Sequence, residues 1–330
     1  MSATLLTKVQ IGRETTAGTA VAADHILRVP AAFLDDQREM EHVPEDVGYL
    51  SGVNRTNVKK YLSSIQIPHQ ANFEDLPYFL DMGVKAVASG VADGAGSGKI
   101  YTFTFPTTAA NSLGTYTVEC FDAQQGYRMA YAHLTELVLS GSGGNPVEAN
   151  ATLYARNPSK NTGASLALAI AETINFSKGK LYLDAVSGTM GTTQVTGTWL
   201  DFNLTINTGL NRQDTGDGSL DFNHTYLGVP EIMLDTTIEH DANAVSAFDA
   251  YQAETPKLLR MLWEGSDLAT PGTLYSKKTL MIDLAVKATK WGPIQTRDGN
   301  NVVPISYKAA YDETAAKYAE ITVVNEVASL

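Results

Sequence analysis

At 330 residues, 44% hydrophobic and 18% charged, the chain is long enough for two domains with their own cores and has an ordinary globular balance. Its formal net charge of −12 argues against a surface that grips nucleic acid, which needs clustered Lys and Arg. A single cysteine, Cys120, excludes an intrachain disulfide framework and a Cys-based zinc site.

The acid is unevenly spread: residues 1–165 carry 12 basic and 16 acidic residues, and residues 166–330 carry 12 and 20. Thr, Val, Gly, Asn and Ser are plentiful and long helical periods are scarce, so the composition leans to β structure. Thr7, Lys8, Gln10, Arg13 and Glu14 leave no apolar core for a signal peptide, and no run approaches the length of a membrane span. The expectation is a protein made in a cytoplasm that stays soluble or assembles.

Residues 1–23 are polar and small, with no strong period, and read as an N-terminal arm. Residues 24–70 read as a broad hairpin, with His25 to Phe33 going out, an acidic tip from Asp35 to Gly52, and Val58 to Pro68 returning. Pro77-Tyr78-Phe79-Leu80-Asp81-Met82 follows as a short helix with one buried face, since proline suits a first turn and Gly83 a left-handed cap. Asp93-Gly94-Ala95-Gly96-Ser97-Gly98-Lys99 invites a phosphate-loop reading and fails it. Asp93 stands where that motif needs its first Gly, and Ile100 where it needs Ser or Thr.

Strands are expected over Tyr101–Phe105, Thr115–Phe121, His133–Ser140 and Glu148–Arg156, the last with Ala149, Ala151, Leu153 and Ala155 on one side and polar residues on the other. Asn157 to Gly163 is the best boundary, giving a first domain over 24–157, a linker over 158–174 and a second domain over 175–330. In the second half Trp199–Asn207 alternates, a polar loop runs from Gly209 to about Gly228, and Ile232–Asp241 returns. Pro256-Lys257-Leu258-Leu259-Arg260-Met261 repeats the form Pro-x-apolar-Leu-x-Met 179 positions after Pro77 and reads as a second helix, with Thr255 as its N-cap. Strands at Leu280–Lys290, Val302–Ala310 and Glu320–Glu326 close the chain. Hairpin, helix and strand group thus occur twice, which argues for a duplicated domain.

Catalytic chemistry finds no foothold in this pattern. The six histidines (His25, His42, His69, His133, His224 and His240) show no metal-ligand spacing on one element. Asp35-Asp36 and Glu74-Asp75 suit a loop tip and a helix N-terminus better than an acid/base pair. Cys120 reads as a buried structural thiol, and no nucleophile elbow exists. Neither an enzyme activity nor a cofactor or metal is expected. One charge pattern stands out: Asp235, Thr237, Glu239 and Asp241 share one face of their strand, and Asp201, Asn203, Thr205 and Asn207 are polar on the partner strand, with almost no basic residue.

Val9-Gln10-Ile11-Gly12-Arg13-Glu14-Thr15-Thr16-Ala17-Gly18-Thr19-Ala20-Val21, followed later by Leu137-Val138-Leu139-Ser140-Gly141-Ser142-Gly143-Gly144 and Val147–Leu153, resembles the tail tube (major tail) proteins of long, non-contractile-tailed bacteriophages. The resemblance covers about the first 155 residues and is one of architecture beyond them. It implies a mainly β fold, a β-sandwich or tube-barrel with a short flanking helix, here as two tandem tail-tube-like domains. It also implies a structural virion protein whose rings stack into the phage tail tube, with an acidic lumen that DNA crosses during ejection without specific binding.

On that reading Asp201, Asn203, Asp235, Thr237, Glu239 and Asp241 face the lumen. Ring stacking would fall to Asp35, Asp36, Glu39, Glu41, Glu45, Asp46, Arg212, Asp214, Asp217 and Asp221. The partners would be further copies of the chain, three per ring with pseudo-six-fold symmetry, together with tape-measure, tail-terminator and tail-tip proteins. The alternatives are a capsid-decoration or tail-tip β protein, or a carbohydrate-binding β-sandwich.

Overall fold

Period-two alternation dominates the chain, and the computed structural model, which describes residues 6–30, 32–50, 55–122 and 124–330, folds it as mainly β. The first half holds β1 (Lys8–Arg13), β2 (His25–Ile26), β3 (Asp35–Asp36), β4 (Glu39–Val43), β5 (Arg55–Lys60), β6 (Ser63–Gln70), α1 (Leu76–Gly83), β7 (Val91–Ala92), β8 (Lys99–Thr104), β9 (Tyr116–Phe121), β10 (Gly126–Ser142), β11 (Glu148–Ala155) and β12 (Ser159–Asn161). The second holds β13 (Gly179–Ala185), β14 (Trp199–Asn207), β15 (Leu210–Gln213), β16 (His224–Leu227), β17 (Glu231–Glu239), α2 (Ala242–Gln252), β18 (Lys257–Asp267), β19 (Lys277–Trp291), β20 (Gln295–Arg297), β21 (Asn300–Ala309) and β22 (Ala319–Asn325).

Two strands are far longer than the rest, β10 with 17 residues and β19 with 15, and each changes neighbours along its length. The N-terminal part of β10 pairs with β9 and β12, and its C-terminal part with β11 and β14. Likewise β19 pairs first with β18 and β22, then with β21. Register shifts at Met129/Ala132, Leu134/Glu136 and Ala288/Lys290 let these strands bend, as β-bulges do.

The principal sheet runs β3, β6, β11, β10, β14, β17, β21, β19, all antiparallel. That order is one four-strand set written twice. Each half enters on a strand (β3 or β14), crosses a hairpin (β4–β5 or β15–β16), and returns on β6 or β17. It then forms a helix (α1 or α2), lays down β9 or β18, and bends through β10 or β19. Finally β11 or β21 inserts between the returning strand and the bent strand. β1 beside β9 matches β13 beside β18, and β12 on β10 matches β22 on β19. The β10–β14 ladder joins the two sets into one sheet, and β8 pairing with β22 ties the halves again on the opposite layer. One hydrophobic core accordingly runs through both, from Ile65, Leu137 and Tyr116 to Leu204, Leu234 and Trp263.

Several expectations from sequence are corrected by this packing. Residues 8–13 are not a free arm: Val9 and Ile11 sit in the core and β1 pairs with β9 along its whole length, while residues 1–5 lie outside the described residues. The outgoing stretch His25 to Phe33 is not the hairpin's first strand. His25–Ile26 pairs with β1, and β4 with β5 forms the hairpin, whose tip at residues 51–52 lies outside the described residues. The 209–228 loop contains the β15–β16 hairpin, and the 158–174 linker begins as the strand β12.

α1 has no wet side. All eight of its residues are buried, including Asp81, whose carboxylate takes hydrogen bonds from Arg13 Nε at 2.9 Å, Tyr116 Oη at 2.9 Å and the Val87 N–H at 2.5 Å. Its twin in sequence, Pro256–Met261, is no helix. Leu259, Met261 and Trp263 face inward at period two between the flanking strands β13 and β19. Thr255 caps nothing, and Glu254, at φ 52°, turns the chain from α2 into β18. The second helix lies one element earlier, over 242–252, capped by Asp241, which accepts from the Asn243 and Ala244 N–H groups at 2.9 and 3.1 Å.

Candidate functional site

Over β6, β11, β14 and β17 burial alternates along the strand, so one face of the sheet is core and the other polar. Across β14 and β17 the register sets Asp201 opposite Thr237 and Asn203 opposite Asp235, so four of the residues singled out in sequence share one surface. Glu239 lies on the same face at the end of β17. Asp241 does not: it follows the strand and is consumed as the cap of α2. The face continues onto strands that sequence reasoning had not joined to it. Ser140 pairs with Asn203 and Val138 with Thr205, Glu136 lies beyond them on β10, and Glu148, Asn150 and Thr152 of β11 sit against Gln70, Pro68 and Gln66 of β6. Over these five neighbouring strands the face carries Glu136, Glu148, Asp201, Glu231, Asp235 and Glu239 and no Lys or Arg.

Cations gather at one margin. Arg297, on the β20–β21 hairpin, reaches Asp201 Oδ2 at 2.7 Å, and Lys308 of β21 pairs with Glu231. Lys287 and Lys290 lie on the last stretch of β19, and neither has a salt-bridge partner among the described residues. β14 and β17 themselves carry no basic residue, and the next strand of the face, β21, carries Lys308. Ser306 Oγ donates to Asp235 at 2.5 Å and Asn300 approaches Glu239, so the acids are partly satisfied by neutral donors.

The residues assigned to stacking come together at one end. β4 and β5 leave the sheet where β6 begins, and the β15–β16 hairpin leaves where β14 ends and folds toward the same base. There Tyr61 donates its N–H to the Leu220 carbonyl, Asn157 donates to Asp221, and Arg212 lies over the Tyr154 ring at 4.6 Å. The acids of the first hairpin are mostly neutralised within it. Asp36 meets Arg38, which holds its carboxyl below the usual range, Glu45 meets Arg55 at 2.5 Å, and Glu39 and Glu41 meet Lys59 and Lys60. Asp35 accepts from Gln37, and Asp217 is lowered by Asn223. Asp46 and Asp214 complete the acidic set on the two hairpin loops. Val47, Tyr49 and Leu50 add exposed apolar side chains to the described part of the first tip.

The N-terminal Gly-x-Glu-x-x-x-Gly run has a structural explanation. Glu14 is buried and accepts from the Gly18 N–H at 2.7 Å, Thr117 Oγ1 at 3.0 Å and the Tyr131 N–H at 2.8 Å. It thereby holds Tyr131 at φ 59°, inside the β10 bulge. Gly18 has φ 79°, and a Cβ there would fall 2.2 Å from the Arg156 guanidinium, which stacks on Tyr131 and Phe222. The 93–99 loop instead supplies an anion to a nest in the second half: the Asp93 carboxylate takes the Thr273, Leu274 and Tyr275 N–H groups at 2.7–3.1 Å. Burial pushes the Cys120 thiol up to about 12, the opposite of a nucleophile's tuning. Among the described residues no group of three or more His, Cys, Asp and Glu could hold a metal ion, and no helix is long and apolar enough to cross a membrane.

A scan of the chain against protein-family models and curated protein sequences finds no match.

Proposed function

We propose that the chain is a tail tube protein of a long-tailed bacteriophage, a structural protein whose copies close into a ring through the principal sheet and stack into a tube with the polar, acidic face inward. The observation that carries this reading is the twice-written strand order. Within one chain, the bent strand of the first set (β10) pairs with the entry strand of the second (β14) along seven residue pairs. The same junction repeated between copies would bring the bent strand β19 of one against the entry strand β3 of the next. Those are the strands left open: among the described residues nothing pairs with the outer edge of β19 beyond Val286, and β3 is two residues long. An unpaired strand edge favours such an addition.

A heterologous contact of this kind closes into a ring when its rotation divides the circle. Tail tube rings usually carry six tube domains, so a chain with two repeats gives three chains per ring. Six acids lie over these five strands, and Asp201 and Glu231 are paired with Arg297 and Lys308 from the margin, so the repulsion of phosphate rests on Glu136, Glu148, Asp235 and Glu239 and acts over about one Debye length, roughly 8 Å at physiological salt. The hairpins at one end would meet the next ring. The test is electron microscopy of the purified protein at high concentration: hollow tubes with three chains per ring are expected. Rings of six whole chains would overturn the trimer, and a protein that never polymerises would favour a decoration protein.

A further inference from the structure

We propose that Glu119 carries a proton in the folded protein and donates it from Oε2 to Gln10 Oε1, forming a carboxyl–amide latch that holds the first strand and the strap between the halves on the sheet. Glu119 of β9 and Gln10 of β1 are directly opposite in the antiparallel register, and both are buried, at 2% and 0% exposure. Side chains of such a pair lie on one face with Cβ atoms about 4.5–5.5 Å apart. Over them runs the strap that follows β12. Asn161 donates to Glu119 Oε1 at 2.5 Å, and Gln10 Nε2 donates to the Ala164 carbonyl at 3.1 Å.

Those two bonds leave one oxygen on each side chain, Glu119 Oε2 and Gln10 Oε1, buried and without a partner among the described residues. Both are acceptors if the carboxyl is ionised, and a buried unpaired acceptor is costly. Turning the Gln10 amide does not help, because its oxygen would then face the Ala164 carbonyl. One proton on Oε2 satisfies both atoms at once.

The charged groups facing the carboxyl are Lys8 on β1 and Arg128 on β10, which favour ionisation, as do Asn161 and the Ala23 backbone. On the strap the groups bonded to the pair, Asn161 and the Ala164 carbonyl, are neutral, and its one cation, Lys160, is exposed beside Asn161 on β12. Burial outweighs them all and raises the Glu119 carboxyl above its ordinary value. A carboxyl raised in the folded state stabilises fully below its unfolded value and loses that contribution as pH rises through the folded value. The latch therefore opens on the alkaline side, and what it frees is β1 together with the strap from Ser159 to Ala164. None of this depends on the tube reading.

The test is a pH titration of the full chain labelled with carbon-13 at glutamate Cδ, with Glu119→Gln assigning the signal, alongside amide hydrogen exchange. Glu119 should titrate above 4.5, its ordinary value. Above that point the opening equilibrium of residues 8–13 and 159–164 should rise by up to about tenfold per pH unit, after correction for base catalysis. The Glu119→Gln protein, which keeps a donor at Oε2, should hold its protection throughout. A carboxyl already ionised at 4.5, or protection that ignores its titration, would overturn the latch. So would protection lost on adding a chelator, which would mean a cation fills the gap. If the variant does not fold, the wild-type titration and exchange still decide.

Discussion

Lys278 is the test of whether the two halves fold as one body. Its ammonium lies 2.6 Å from Glu74 Oε1, just before α1, and 3.7 Å from Glu172 Oε2 in the strap, while the lysine itself belongs to β19. Glu74 also accepts the Glu172 N–H at 2.8 Å, so first half, strap and second half meet at one buried cation. The lysine side chain is 11% exposed and that of Glu74 7%. Replacing Lys278 by Met keeps the stem and removes the charge, leaving Glu74 as an uncompensated buried carboxylate. Breaking a buried pair in this way costs about 3–5 kcal/mol, a large part of the 5–15 kcal/mol typical of a folded domain. Adding Glu74→Gln should return most of the loss, because a neutral pair has no buried charge to desert.

Urea denaturation supplies the assay. All three tryptophans, Trp199, Trp263 and Trp291, lie in the second half, so fluorescence reads that half and hydrogen exchange at β6 and β11 reads the first. Both transitions should coincide and move together to lower urea. A loss below about 1 kcal/mol, the scale of an exposed pair, would refute the assignment of a buried clasp. Two transitions, with only one moved, would refute the single body.

Acid should also unfold the protein through His133. Burial drives its imidazole down to about 4, with Nε2 left without a partner among the described residues. A histidine depressed in the folded state gives stability that is present above its unfolded value of 6.5 and lost as pH falls to about 4, in total about 3 kcal/mol. His133→Leu should flatten the stability–pH curve in that window, and an unchanged slope would refute it; His69, shifted the same way, supplies a second contribution. Changing Asp201, Asp235 and Glu239 together to Lys should leave tubes intact and impair DNA ejection, and normal infectivity in that triple variant would sink the lumen assignment. Thr289→Pro on the open edge of β19 should leave the monomer folded and abolish tubes, since its ring cannot donate to a neighbouring strand. Tubes of normal length in that variant would argue against sheet continuation.

How much was legible depended on whether one strand or two decided the outcome. Trp199–Asn207 and Glu148–Arg156 were readable because their own alternation matches their burial. The helix marked by Pro77 was readable in position but not in surroundings: nothing in eight residues says that β8 and β10 close over its far side. At Pro256–Met261 helix and strand chemistry are both present, and the ladders to β13 and β19 decide. α2 was missed because only Ala244 and Ala247 are buried, which leaves almost no apolar stripe to detect. The polar face was read on two strands, but its extent over β10 and β11 follows from the β10–β14 register, a contact between residues about 65 positions apart.

The repeat also explains the least regular part of the chain. In the second half the entry strand β14 pairs with β17 from Trp199 to Asn207, held on its other side by β10. Its counterpart, the stretch before Asp36, pairs with β6 only at Asp35 and Asp36, and Phe33 is 60% exposed. A strand flanked on one side only forgoes half of its ladder, and here the missing neighbour would be β19 of another copy. Tube formation should therefore make residues 32–36 strand-like, adding several slow amides there and on Lys287–Trp291 and few on β14, whose neighbours are already in place. Hydrogen exchange on assembled tubes against monomer reads this directly. Equal protection of residues 32–36 in both states would mean that the copies join somewhere other than the open edges of the principal sheet.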